Sequence, residues 1–265
     1  MSITVVSRPH ISPPISGYHF HHTAQQNSLN NGLVSWWKVM PGWRGGTMWR
    51  DLVGNNHATI SNATATTLWS PISPIGGSGS LLLDGSNDVV EIPNYLLGAP
   101  NSIIPGLTVS AWLRPGAGFT SNYRRYFSIQ NVSGGNNYIT CHTLPTFDGP
   151  AGELRVHIHG TSTNTSGFAL AADTWYHIIN TFNDATNTVC IYRNGVPIRQ
   201  NTGVANQMTN DQFIITGSLN AGETGHGWLG HLDDIRLYRR ALTDGEALNL
   251  YQETLRNSLY YTGGE

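Results

Sequence analysis

Charge is scarce in this chain. Only 11% of its 265 residues are Asp, Glu, Lys or Arg, against the quarter usual in soluble domains. The 14 basic and 16 acidic residues leave a formal net charge of −2, so there is no basic field to neutralise a phosphate backbone, and nucleic-acid binding is excluded as an expectation. Cysteine is nearly absent as well. With two, Cys141 and Cys190, the chain is no disulfide scaffold, and the pair is expected to be free, half-buried thiols. No run of about 18 apolar residues occurs, and Met1–Ile15 has neither a basic head nor an apolar middle. Neither membrane insertion nor a Sec export leader is therefore expected.

What is plentiful is turn-forming and uncharged. Thirty Gly and 13 Pro between short alternating runs point to an all-β class, with a surface built largely from Asn, Thr, Ser and Gly. Such a surface suits sugars or a protein lattice. In Thr174–Ile198, Asp184 to Asn187 turns one hairpin and Asn194-Gly195 a second. Leu107–Pro115 alternates strictly, with Val109, Ala111 and Leu113 on one side and Ser110, Trp112 and Arg114 on the other. Tyr126–Gln130, Tyr138–His142 and Leu154–His159 read as further strands. His157 and His159 share one face of the last of these, a two-His pattern without a recognisable third metal ligand.

Gly227–Tyr251 reads as strand, corner and helix in one sentence. Ile235 and Leu237 alternate with Asp234 and Arg236; Thr243 and Glu246 form a capping box, and Leu242 can staple onto Ala247. A helix near 244–251 follows, too short to stand alone. At the other end, residues 1–31 hold one β-prone run from Ile3 to Val6, scattered prolines and a His19, His21, His22 cluster, with no core of their own. They read as an extended arm, either disordered or docked on another chain through Ile3, Val5, Tyr18 and Phe20. Between arm and helix, Trp36, Trp37, Trp43 and Trp49 crowd a short span, and the expectation is core filling rather than a ligand platform.

Three stretches carry a family resemblance: the closing Asp233–Tyr251; the turn Asp84, Gly85, Ser86, Asn87, Asp88, Val89, Val90; and the alternating 107–115 strand. Trp175, His177, Asn194 and Gly195, and the Asp51–His57 opening loop, fit the same pattern. Together they resemble the laminin-G-like, concanavalin A-like jelly-roll domains, which include the pentraxins. The resemblance implies a two-sheet antiparallel jelly-roll sandwich over 32–253 with one short C-terminal helix, an arm at 1–31 and a tail at 254–265. It also implies lectin-like glycan binding on rim loops, for which Asn55, Asn136, Asn137, Trp228 and the 217–227 loop are the candidates. Asn136-Asn137 stands where pentraxins bind calcium, but the acidic residues that complete that site are missing from 217–220. A structural calcium ion is instead implied between Asp51 and Asp233 or Asp234, as relatives hold the early loop to the final strand. Jelly-roll glycosidases carry Glu-x-Asp-x-x-Glu on one strand. No such string occurs, so no enzyme is expected. The low charge and the arm, and a likeness to laminin-G-like proteins of phage type, lead to the expectation of a non-catalytic adhesion or decoration protein on a virion surface, a homo-oligomer or bound to virion structural proteins through its arm. The alternatives are decoration without glycan binding and, third, a glycoside hydrolase.

Overall fold

The structure, a computed structural model, describes residues 28–40, 45–63, 68–74, 79–92, 96–99, 102–130, 139–158, 161–165, 167–204, 212–216 and 225–261. In chain order the strands are β1 (Leu33–Trp37), β2 (Met48–Trp49), β3 (Ala58–Ser61), β4 (Trp69–Ser70), β5 (Ser80–Asp84), β6 (Val89–Ile92), β7 (Gly106–Pro115) and β8 (Arg124–Gln130). There follow β9 (Ile139–Thr143), β10 (Leu154–Ile158), β11 (Thr161–Asn164), β12 (Tyr176–Asn183), β13 (Thr188–Arg193), β14 (Val196–Thr202), β15 (Gln212–Thr216) and β16 (Leu229–Tyr238), then helix α1 (Asp244–Tyr261). They form two antiparallel sheets. The first runs β14-β13-β12-β7-β16-β5-β4, with β1 also paired to β16; the second runs β11-β10-β9-β8-β15-β6-β3-β2. This is the jelly-roll sandwich expected.

Alternation explains the core. Leu107, Val109, Ala111 and Leu113 of β7 meet Phe127, Ile129, Cys141 and Val156 of the second sheet in one buried cluster, each large side chain contributing roughly 1.5–3 kcal/mol by leaving water. Trp37 and Trp49 belong to that cluster, as the crowding of tryptophans suggested, while Trp43 lies outside the described residues. Cys141 and Cys190 are free and buried. The Asn194-Gly195 hairpin has positive φ at both residues, 54° and 77°, the geometry of a type I′ turn.

Helix α1 begins as read. The Glu246 N–H donates to Thr243 Oγ1 at 3.3 Å and the Thr243 N–H donates back to Glu246 Oε2 at 3.0 Å. Leu242, Ala247 and Leu250 form a second buried cluster with Ile179, Tyr192 and Tyr238 on the outer face of the first sheet. The helix runs to Tyr261 rather than stopping near 251, because Glu253 reaches Arg236 at 3.2 Å and Thr254 is buried. The last residues of the expected arm are tied down too. Leu29 joins the second cluster, and Arg240 donates to the carbonyls of Ser28 and Asn31 at 2.8 and 2.7 Å.

One departure from plain alternation matters. Between Asp233 and Arg236 the register of β16 against β7 shifts, and Asp234 has φ 47°, so a bulge turns both carboxylates toward β1. Asp234 accepts from the Trp36 indole at 2.6 Å and from Arg236 Nε at 3.0 Å, and pairs with Lys38 at 3.3 Å. The Arg236 guanidinium lies 4.1 Å from the Trp36 ring centroid. Asp233 accepts from the Val39 N–H at 2.8 Å through Oδ1, while its Oδ2 lacks a partner of good geometry. Asp51 accepts from four backbone N–H groups, those of Trp36, Val53, Gly54 and Asn56. These are the three residues read as holders of a structural calcium ion. Most of their carboxylate oxygens accept from N–H donors, Asp234 also faces Lys38 and Arg236, and Asp233 Oδ2 stays without a partner. Among the described residues no three His, Cys, Asp or Glu side chains gather as metal ligands. Lys38 and Arg236 supply the positive charge there.

Two outcomes follow from β16. Gly230 has φ 120°, and a Cβ there would overlap the Arg114 carbonyl oxygen and lie 2.5 Å from the Gly116 nitrogen. Gly230→Ala should cost about 3 kcal/mol or more, read as a lower urea midpoint or loss of folding. The two aspartates titrate oppositely. Burial pushes Asp233 up to about 7, so its contribution to stability is greatest below its unfolded value near 4 and declines as pH rises toward 7. For Asp234 burial acts upward, but Arg236 and Lys38 outweigh it and hold the carboxyl well below the usual range. Its contribution is present above about pH 4 and is lost on acidification. Asp233→Asn should flatten the decline between about pH 4 and 7 in urea denaturation; a pH profile parallel to that of the unmodified protein would show that Asp233 is not its source.

Candidate functional site

The outer face of the first sheet is partly covered by α1. On the outer face of the second sheet, antiparallel register lines up two rows of polar side chains. Since Phe127, Ile129, Ile139, Cys141, Leu154, Val156 and Ile158 point into the core, their alternate neighbours point out. One row runs Arg125, His142, Arg155, Asn164 across β8, β9, β10 and β11. The next runs Ser128, Thr140, His157, Ser162. A bulge between Arg125 and Phe127 turns Tyr126 inward as well, where its hydroxyl accepts from Asn180 at 2.9 Å. That irregularity keeps Arg125 on the outer row.

The rows are linked by hydrogen bonds. Arg155 donates to Asn164 Oδ1 at 2.8 Å and pairs with Asp148 from the loop after β9. The Tyr123 hydroxyl donates to the same Asp148 oxygen at 2.6 Å. Its hydrogen bond from Tyr123, together with Arg155, keeps the Asp148 carboxyl below its ordinary value. His157 Nδ1 and Ser162 Oγ lie 3.0 Å apart, and Thr140 Oγ1 and His142 Nδ1 3.1 Å apart. At the end of the rows Tyr123 meets three rings edge-on: His142 at 5.2 Å, Phe147 at 5.6 Å and His226 at 5.6 Å. Phe147 is 68% exposed, unusual for so large an apolar side chain.

Buried backbone contacts fix this end. Leu144 and Glu153 close the loop that carries Phe147 and Asp148, Leu144 N–H donating to the Glu153 carbonyl at 2.7 Å. Arg124 ties its other flank, donating to the carbonyls of Gly85 at 2.6 Å and Gly225 at 3.0 Å. The Asp84–Val90 turn thus has a structural task. Asp84 accepts from the Ser86 N–H, and Asp88 accepts from the Asp84 N–H, at 2.8 and 2.9 Å.

The candidates from sequence fall elsewhere. Trp228 is a core residue, wholly buried, its indole N–H donating to the His231 carbonyl at 3.1 Å and its ring edge-on to Tyr126. A ring with no free face cannot stack on a sugar, so its assignment to a rim platform is corrected. Asn55 is exposed in the Asp51 loop, between β2 and β3 at the opposite edge of the second sheet from β11. Asn136, Asn137 and most of the 217–227 loop lie outside the described residues, as do His159 and the arm residues Ile3, Val5, Tyr18 and Phe20. Tyr123, His142, Phe147 and Arg155 were not singled out from sequence. The alternation of the 138–142 and 154–159 strands was the available signal.

No curated protein sequence matches the chain significantly. Among solved structures, domain 4 of AbnA, a GH43 extracellular arabinanase from Geobacillus stearothermophilus in complex with arabinotriose, is similar at TM-score 0.59 and 18% identity, over 83% of this chain and 98% of that one. Trypanosoma rangeli sialidase matches at 0.59 and 15%, over 84% of this chain and 33% of its own. The binding domain of Paraclostridial Mosquitocidal Protein 1 matches at 0.58 and 19%, over 84% and 52%. The chain spans about a third of the sialidase and half of the toxin binding domain, and at these identities the likeness is one of fold. In sequence, residues 84–247, from the Asp84 turn to the first turns of α1, match the model of a single family. The chain belongs to the concanavalin A-like lectin/glucanase superfamily.

Proposed function

We propose that the protein is a non-catalytic glycan-binding module whose site is the outer face of the second sheet. The observation that carries this is the exposed Phe147 ring beside the half-buried and exposed members of the registered rows, Arg155, His157, Ser162 and Asn164. Sugars offer hydroxyls to such side chains and C–H faces to aromatic rings. The arabinotriose held by the arabinanase domain and the binding role of the toxin domain agree with this reading. Retaining hydrolysis needs two carboxyls about 5–5.5 Å apart, one kept protonated. Asp148, the carboxylate beside these rows, is instead bound by Tyr123 and Arg155 and favours its charged form. Phe147→Ala should weaken binding to every glycan that scores on an array by about tenfold, the worth of an aromatic contact near 1.5 kcal/mol, with the melting temperature unchanged. Unaltered binding would place the site elsewhere. Incubation with laminarin, cellulose, xylan or agar should release no reducing ends.

For display we infer that residues 1–27 attach the module to a larger particle such as a virion, or to further copies of the chain. Support comes from the Arg240 clamp on Ser28 and Asn31 and from buried Leu29, which give the segment a fixed root. Deleting residues 1–25 leaves that root intact. The truncated protein should melt cooperatively like the full chain but lose oligomerisation or particle attachment, read by light scattering and co-sedimentation; assembly unchanged by the deletion would end this reading.

A further inference from the structure

We infer that this face selects for two adjacent free hydroxyls on one sugar residue, with Asp148 Oδ1 accepting from one and Arg155 Nη2–H donating to the other. The inference rests on the outer face of the second sheet being the glycan site. It puts the selective contact at the open end of that face, on two half-buried side chains beside the exposed Phe147 ring.

Both groups are held, and both keep an open atom. Arg155 donates through Nε to Asn164 Oδ1 at 2.8 Å and through Nη1 to Asp148 Oδ2. The Tyr123 hydroxyl donates to that same Oδ2 at 2.6 Å, so the two protein contacts of the carboxylate converge on one oxygen. Among the described residues neither Asp148 Oδ1 nor Arg155 Nη2 takes part in a hydrogen bond, and neither is sealed from solvent. The Asp148 side chain is 33% exposed and that of Arg155 15%. The loop has ties of its own. The Asp148 N–H donates to the Pro145 carbonyl at 3.3 Å, closing a turn with Phe147 inside it, and the Thr146 N–H donates to the Thr120 carbonyl at 3.0 Å. Tyr123 joins the ring to the ion pair, since it lies edge-on to Phe147 at 5.6 Å while bonded to Asp148. Donor, acceptor and ring are thus assembled before a ligand arrives, which lowers the cost of ordering them on binding.

Sugar chemistry supplies the complement. A hydroxyl both donates and accepts, and two hydroxyls on neighbouring ring carbons lie side by side when they are gauche. One can then donate to a carboxylate oxygen while its neighbour accepts from the guanidinium paired with that carboxylate. Both bonds are charge-assisted and stronger than neutral ones, and the C–H face of the same ring can rest on Phe147. A lone hydroxyl satisfies only one of the two. An anion approaching Arg155 meets the Asp148 charge, and a cation approaching Asp148 meets Arg155, so a neutral diol suits the pair better than either.

The test is retention of the full chain on gels of dextran, linear arabinan and linear xylan, whose internal residues keep adjacent free hydroxyls, and of curdlan, whose internal residues keep none. At least one of the first three should bind about tenfold tighter than curdlan, the worth of one charge-assisted hydrogen bond. Asp148→Asn and Arg155→Lys should each remove most of that preference, the second because an ammonium keeps a positive charge beside Asp148 but not the second N–H group of the fork. Asp173→Asn, which removes an ion pair with Arg114 of the other sheet, should leave it unchanged. Melting is measured alongside, and the preference of the unmodified protein is read without any variant. Curdlan bound as tightly as the other gels, with a loss on Phe147→Ala, would overturn the diol reading and leave the face as the glycan site. A preference that survives both variants would overturn Asp148 and Arg155 as its source. No retention on any gel would overturn the inference, and no binding across a glycan array would overturn the site as well.

Discussion

The sandwich depends on a buried ionic knot at the bulge of β16. That strand pairs with β7 along one side and with β5 and then β1 along the other, so whatever fixes its register fixes the first sheet. Asp234, Arg236 and Lys38 do so by a mechanism hydrophobic packing cannot copy. Each charge is almost fully removed from water, and removal of one partner from such a set typically costs about 3–5 kcal/mol because the others are left uncompensated. A slip of β16 by one residue would strand all three. The same knot reaches outward, since Arg236 also holds Glu253 of α1 and stacks on Trp36 of β1. Strand order, helix placement and the first strand are thus set by one group of charges.

The two outer faces diverge from that point. On the first sheet, α1 covers polar and apolar side chains alike: Tyr251 stacks on His177 and packs against Trp112, and the Ser110 hydroxyl lies 2.7 Å from His177 Nε2. Burial pushes His177 down to about 3, so it stays neutral under the helix. On the second sheet the polar groups are collected in register, buried on β8 and β9 and half-buried or exposed on β10 and β11. A sheet that shows a ladder of Arg, His, Asn, Ser and Thr on one side and aliphatic side chains on the other has the alternation of a half-buried surface.

How much of this could be read from the residues depends on the range of the interaction. Local devices were legible: the Thr243–Glu246 capping box, the Asn194-Gly195 turn and the alternation of β7 each act within a few residues. The tryptophan crowding gave the core assignment of Trp37 and Trp49. What escaped was long-range or irregular. The bulge at Asp234 follows from its attraction to Lys38 and Trp36, nearly two hundred positions away, and plain alternation would have sent Asp233 and Asp234 to opposite faces. Trp228 read as a rim residue because it follows a polar loop, yet a bridge from Gly227 to Arg125 carries the chain inward one residue earlier. Arg125, His142 and Arg155 lie on three strands, and only the pairing that joins those strands makes them a row.

The knot and the row hold their charges in different ways. At β16 opposite charges are buried together at 3.0 to 3.3 Å, with no task left for a ligand. Along the second sheet Arg125, His142 and Arg155 are held in register, with the Asp148 carboxylate paired to Arg155 from a loop. A loop carboxylate can be rearranged more easily than one fixed in a strand, as Asp234 is.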